Sequence, residues 1–194
     1  MQNLIRTSPE TAKFTIKEQI QRFKNDRKTL NLPSGHTLTT VEGISVWDEA
    51  IRAMESQAPL KALKWSDSLA AAARDHCRDI GSRGLFSHKG SNGSFPWDRM
   101  EVYGTYSGYA AENIGFGNRR GSDYIYSLFI DDGNTSRKHR KIIVHPDLNL
   151  TGMAYCPHRR FGHILVIKYA GGFTPKATRI LLPAGAKLTK SGRF

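Results

Sequence analysis

The chain has no run of about 20 apolar residues, so nothing in it reads as a membrane-spanning helix. Cysteine is nearly missing too: Cys77 and Cys156 close at most one bridge, which excludes a disulfide scaffold. Both sit in apolar contexts, Cys77 on the inner stripe of a helix and Cys156 just past a strand, and they are expected as buried, unlinked thiols. Acidic residues stop at Asp147. Beyond it Arg159, Arg160, Lys168, Lys176, Arg179, Lys187, Lys190 and Arg193 supply eight charges of the net +12. With no local counter-charge, that half of the field favours an acidic protein surface or an anionic polymer. There is no Gly-x-Ser-x-Gly elbow, no phosphate loop and no Cys-His nucleophile motif, so an enzyme is not expected, a metal-dependent hydrolase being the residual alternative. No nucleic-acid motif accompanies the basic residues, which argues against base-specific recognition. The segment Met1 to Pro9 lacks the apolar core of a signal peptide, an intracellular sign if Met1 is the natural start.

What is present suits one globular unit: 194 residues, 39% hydrophobic and 24% charged. Residues 1–173 are expected to form the domain and 174–194 a basic extension carrying Pro175 and Pro183. Ser8-Pro9-Glu10 starts a helix whose stripe is Phe14, Ile16, Ile20 and Phe23. Residues 30–43 read as a loop or insertion, and a second helix runs from about Ser45 to Gln57. In the third helix Ser66 is the cap, Leu69, Ala72, Ala73, His76, Cys77 and Ile80 form one face, and Gly81 or Gly84 is the stop. From Phe86 to Tyr109 the chain is loop-like. Ser122 to Ile130 reads as helix with a strand alternative, Leu150 to Tyr155 and His163 to Tyr169 as strands, and Gly171-Gly172 as the domain end.

Three separated stretches each place one metal-capable side chain among small or basic residues: Ser87-His88-Lys89-Gly90, Ala111-Glu112-Asn113 and Arg137-Lys138-His139-Arg140. If they converge, His88, Glu112 and His139 offer two imidazoles and a carboxylate, a set that suits zinc. Taken in order with the run from Leu63 to Gly81, Asp98-Arg99-Met100 and Ile130-Asp131-Asp132-Gly133, these motifs resemble the CAP superfamily of cysteine-rich secretory, antigen 5 and pathogenesis-related proteins, in its cysteine-poor branch. The resemblance implies an α+β fold, a three-layer α-β-α sandwich around a mostly antiparallel sheet. It also implies that His88, Glu112 and His139 are the cavity residues, that the protein binds a divalent ion or a lipid or sterol rather than catalysing, and that it is secreted. Asp131 and Asp132 are expected in a turn or cap role, and Lys138 beside His139 works against a metal.

The rival reading is an intracellular component of a large assembly, docked through its basic end. Arg137, Arg140 and Lys141, with Lys176, Arg179, Lys187, Lys190 and Arg193, are the residues expected to meet an anion or partner. Phe161 and Tyr169 are the candidate stacking surfaces.

Overall fold

The run Ile164-Leu165-Val166-Ile167-Lys168-Tyr169-Ala170 is buried along its whole length because it belongs to an interior strand, apolar on both sides. That strand, β6 (Gly162–Pro175), pairs antiparallel with β5 (Leu150–His158) on one side and with β4 (Gly104–Phe116) on the other. A two-residue strand, β3 (Lys64–Trp65), adds to β5 in parallel, giving the sheet order β3-β5-β6-β4. The computed structural model describes residues 1–32, 35, 37–117 and 119–176. Among these residues no helix is long and apolar enough to cross a membrane.

Alternation along β6 divides the core. Ile164, Val166 and Ala170 face a helical layer of α4 (Asp67–Arg83) and α5 (Pro96–Tyr103), whereas Leu165, Ile167 and Tyr169 face α1 (Gln2–Thr7), α2 (Pro9–Ile20), α3 (Ser45–Glu55), α6 (Gly121–Ile130) and α7 (Lys138–Ile143). The result is the expected three-layer α-β-α sandwich with a mostly antiparallel sheet. α4 follows its sequence signals: the Ser66 hydroxyl accepts from the Leu69 N–H, and Gly84 ends the helix at φ 68°. Gly152 lets the start of α4 lie against β5, since a Cβ there would collide with the Leu69 and Ala70 backbone.

Several expectations are corrected. Cys77 and Cys156 are a disulfide, with Cα atoms 5.9 Å apart, because α4 lies directly over β5. The stretch 30–43, expected as a loop, overlaps a pair of antiparallel strands, β1 (Thr29–Asn31) with β2 (Thr37–Thr39). The loop-like stretch holds α5 and the first half of β4, and β6 runs on past Gly171-Gly172 to Pro175. Phe14 is 63% exposed, whereas Ile16 is buried. The helix α1 had no strong signal; it is secured by Arg6, which is fully buried and donates to the carbonyls of Lys61, Ile143, His145 and Leu148. Of the extension expected over 174–194, Thr174 and Pro175 end β6, and 177–194 lie outside the described residues.

Candidate functional site

Glu112 and Asn113 are consecutive on β4, so they point to opposite faces of the sheet. Glu112 enters the α4 and α5 layer, where its side chain is 1% exposed. There it meets the chain's own cations. Lys168 on β6 is its register partner; the Lys168 ammonium, itself fully buried, lies 2.6 Å from Oε2. Arg99 on α5 donates to the same oxygen at 3.2 Å, to the His88 carbonyl at 2.9 Å and to the Ser94 carbonyl at 2.8 Å, which pins the 88–94 loop over the carboxylate. His88 Nδ1 closes the set at 2.8 Å from Oε1. Burial alone would raise the Glu112 carboxyl, but the His88 hydrogen bond and the Lys168 charge outweigh it and hold it at about 2. Burial pushes Lys168 down to about 8 against the pull of Glu112, so both are charged at neutral pH. His76, fully buried on α4 with Nε2 3.0 Å from the Ser87 carbonyl, is depressed by burial to about 4 and is neutral there.

Above this pair lies a groove of about 260 Å³ lined by His88, Phe95, Pro96, Trp97, Met100, Ala110, Ala111 and Glu112. Phe95 and Trp97 stand stacked at its rim, 5.1 Å apart and 9° from parallel, 42% and 48% exposed. Lys168 also donates to the Pro96 carbonyl at 3.1 Å, which ties the aromatic wall to the ion pair below. A separate apolar cavity of about 190 Å³ lies among Leu30, Leu38, Trp47, Tyr126 and Ile130. Of its two acids, Asp132 is taken by the backbone N–H groups of Val41 and Glu42, and Asp123 accepts from the Arg120 N–H and the Ser122 hydroxyl.

The structure joins His88 to Glu112 and leaves His139 elsewhere. His139 lies on α7, beyond Asn113, whose amide donates to its carbonyl at 3.2 Å. Its Nδ1 is 2.7 Å from Asp131 Oδ1 and its backbone N–H donates to Oδ2 at 2.9 Å, while Asp131 itself ends α6 at φ 61°, the cap role expected of it. Among the described residues no group of three or more His, Cys, Asp or Glu forms that is able to hold a metal ion. The residues present therefore do not fit zinc: two cations already neutralise the one carboxylate, and the second imidazole is bonded to a different acid.

Arg137 and Arg140, expected to face a partner, are spent internally. Arg137 bonds Glu42 (2.6 and 2.7 Å) and Glu49 (2.8 Å); Arg140 bonds Glu49 and the carbonyls of Phe129 and Ile130. This network staples the start of α3 to the turn between α6 and α7. Arg137→Ala is expected to cost about 2 kcal/mol, the scale of a charge-assisted hydrogen bond, as read by urea unfolding. Hydrogen bonds from Arg137 hold Glu49 at about 2, below its ordinary value. Its share of stability is thus complete above the usual carboxylate range and lost as pH falls towards 2. Lys141 and Lys176 are exposed, and Arg179, Lys187, Lys190 and Arg193 lie outside the described residues. Tyr169 is fully buried and offers no stacking face. Sequence reading missed Lys168, Arg99 and His76 as partners of Glu112. The visible signal was one lysine inside an apolar strand.

A mostly antiparallel sheet thus lies between two helical layers, with Glu-Asn on its edge strand beneath a His-bearing loop. The profile of the cysteine-rich secretory protein (CAP) family matches residues 27–169, and the chain belongs to that family. The Bacillus subtilis (strain 168) protein YkwD, described as uncharacterized, is 26% identical over 107 residues, which make up 55% of this chain and 40% of that protein. The chain thus spans less than half the length of that relative. Among solved structures, an outer surface protein of Borrelia burgdorferi gives a TM-score of 0.48 at 16% identity over 57% of this chain and 78% of that one. An extracellular SCP-domain protein of Bacillus anthracis (strain Ames) gives 0.46 at 18% identity over 72% and 43% respectively.

Proposed function

We propose that the protein is a non-catalytic binding protein whose groove beside Glu112 takes a small apolar ligand of lipid type bearing a hydroxyl group. The observation that carries this reading is the exposed, parallel Phe95 and Trp97 pair standing over the hydrogen bond between an exposed His88 and the buried Glu112. Exposed aromatic faces around a few convergent polar groups are the usual make-up of a small-molecule site. A volume of about 260 Å³ suits one chain or ring system. The ionised Glu112 carboxylate accepts only, so Nδ1 of His88 donates to it, and Nε2 is left to meet a hydroxyl of the ligand. Nothing here favours chemistry: a carboxylate held at about 2 and paired with Lys168 is a poor general base at neutral pH. The disulfide favours an oxidising compartment, and so secretion over the intracellular assembly role. That alternative rests on the basic sequence of 174–194 with Lys141.

Titration with a long-chain alcohol, read by tryptophan fluorescence and calorimetry, tests the proposal. Trp97→Ala is expected to weaken binding at least about tenfold, since burying one large aromatic face contributes roughly 1.5–3 kcal/mol. Trp65→Ala, away from the groove, should leave the affinity unchanged. Equal affinity in Trp97→Ala and the wild type would sink the reading.

A further inference from the structure

At the opposite end of α4 from its Ser66 cap, the chain turns at Gly84 and presents Leu85 and Phe86, 37% and 70% exposed. Phe86 stacks on Phe116 at the end of β4 with ring centres 4.5 Å apart, and both rings meet Phe161 in the β5–β6 turn, at 6.0 and 5.2 Å. This tip is held in place. The buried His158 accepts at Nδ1 from the backbone N–H groups of Arg160 and Phe161 (3.2 and 3.1 Å), so its proton is on Nε2, which donates to the Leu85 carbonyl at 3.0 Å. The Cys77–Cys156 bridge joins the same two elements just behind it. Around the tip stand exposed arginines. Arg78 and Arg159 line one depression with Ser82, Pro157 and His158, and the Arg160 guanidinium lies 5.1 Å over the Phe161 ring. The acid closest in sequence, Asp79, is consumed by Arg83 at 3.0 Å and by Ser91.

We propose that this end of the domain docks on an anionic phospholipid bilayer, with Leu85 and Phe86 entering the headgroup boundary and Arg78, Arg159 and Arg160 meeting lipid phosphates. An apolar tip ringed by cations matches a surface that is negative outside and apolar beneath. Leu85 decides against a nucleic acid as the occupant. A base gains from an aromatic face and nothing from an aliphatic tip, and one face of Phe86 is already covered by Phe116. The surface is separate from the groove at Glu112, so the two readings stand or fall independently.

Co-sedimentation of the full chain with vesicles of phosphatidylcholine alone, and of phosphatidylcholine with about one third phosphatidylglycerol, tests it. Binding is expected to the anionic vesicles and to weaken as salt is raised. Arg159→Ser with Arg160→Ser should weaken it roughly 25-fold, at about fivefold per arginine, and Leu85→Ser with Phe86→Ser at least about tenfold. The basic sequence beyond 176 is the same in every variant, so these ratios report the tip itself. All four side chains are exposed, and a far-UV circular dichroism spectrum like that of the wild type with a cooperative thermal melt shows that the variants are folded. Absence of binding to the anionic vesicles, or wild-type binding by the Leu85→Ser/Phe86→Ser variant, overturns the proposal. So does binding of single-stranded DNA that depends on Phe86 but not on Leu85.

Discussion

Lys168→Met is expected to destabilise the domain by about 3–5 kcal/mol, the cost of leaving one member of a buried ion pair without its partner. For a chain of this size that lowers the melting temperature by roughly 10 °C. The reason is geometric: Glu112 is 1% exposed and Lys168 fully buried, so neither charge has water to fall back on. Arg99 remains 3.2 Å away and softens the loss without removing it. Replacing both members, as Lys168→Met with Glu112→Leu, is expected to recover much of the stability, because an apolar pair of similar volume avoids the desolvation of two ions. A double-mutant cycle makes the comparison, and additive costs in the double variant would show that the two groups do not act as a pair.

The second large effect belongs to the bridge. Cys77 and Cys156 are separated by 79 positions, and closing a loop of that length restricts the unfolded chain by about 4.5 kcal/mol on the chain-entropy estimate. Urea unfolding of the protein with and without a reductant should show that difference, and Cys77→Ser should behave like the reduced form. Two titratable thiols in the unreduced, denatured protein would contradict it, and would also withdraw the support that the bridge lends to secretion.

These two features mark where sequence reading stopped. The helix α4 was legible because its cap, stripe and stop are all local: Ser66, the Leu69 to Ile80 face, and Gly84. The bridge was not, since the pairing depends on α4 lying across β5, a contact between distant segments. The His88–Glu112 pair was legible through the order of motifs, whereas the break with His139 follows from strand alternation at Glu112 and Asn113. That alternation was hidden because Gly104 to Phe116, rich in Gly, Ala and Tyr, has no apolar period of its own and is made a strand by its register with β6. Lys168 was read as part of the C-terminal charge excess. Its neighbours Ile167 and Tyr169 identified an interior strand, and a charge on such a strand needs a buried partner. The strand pair overlapping 30–43 and the helix at Gln2–Thr7 are likewise products of tertiary contact rather than of strong local signals.

The most direct test of the site is the carboxyl carbon-13 shift of Glu112 followed through pH, with and without zinc. With Lys168 and His88 as its partners, Glu112 is expected to titrate at about 2, to move up towards the ordinary range in Lys168→Met, and to be unmoved by the metal. A wild-type midpoint at or above the ordinary glutamate value, or a zinc-dependent shift abolished by His139→Ala, would contradict a carboxylate neutralised by the chain's own cations.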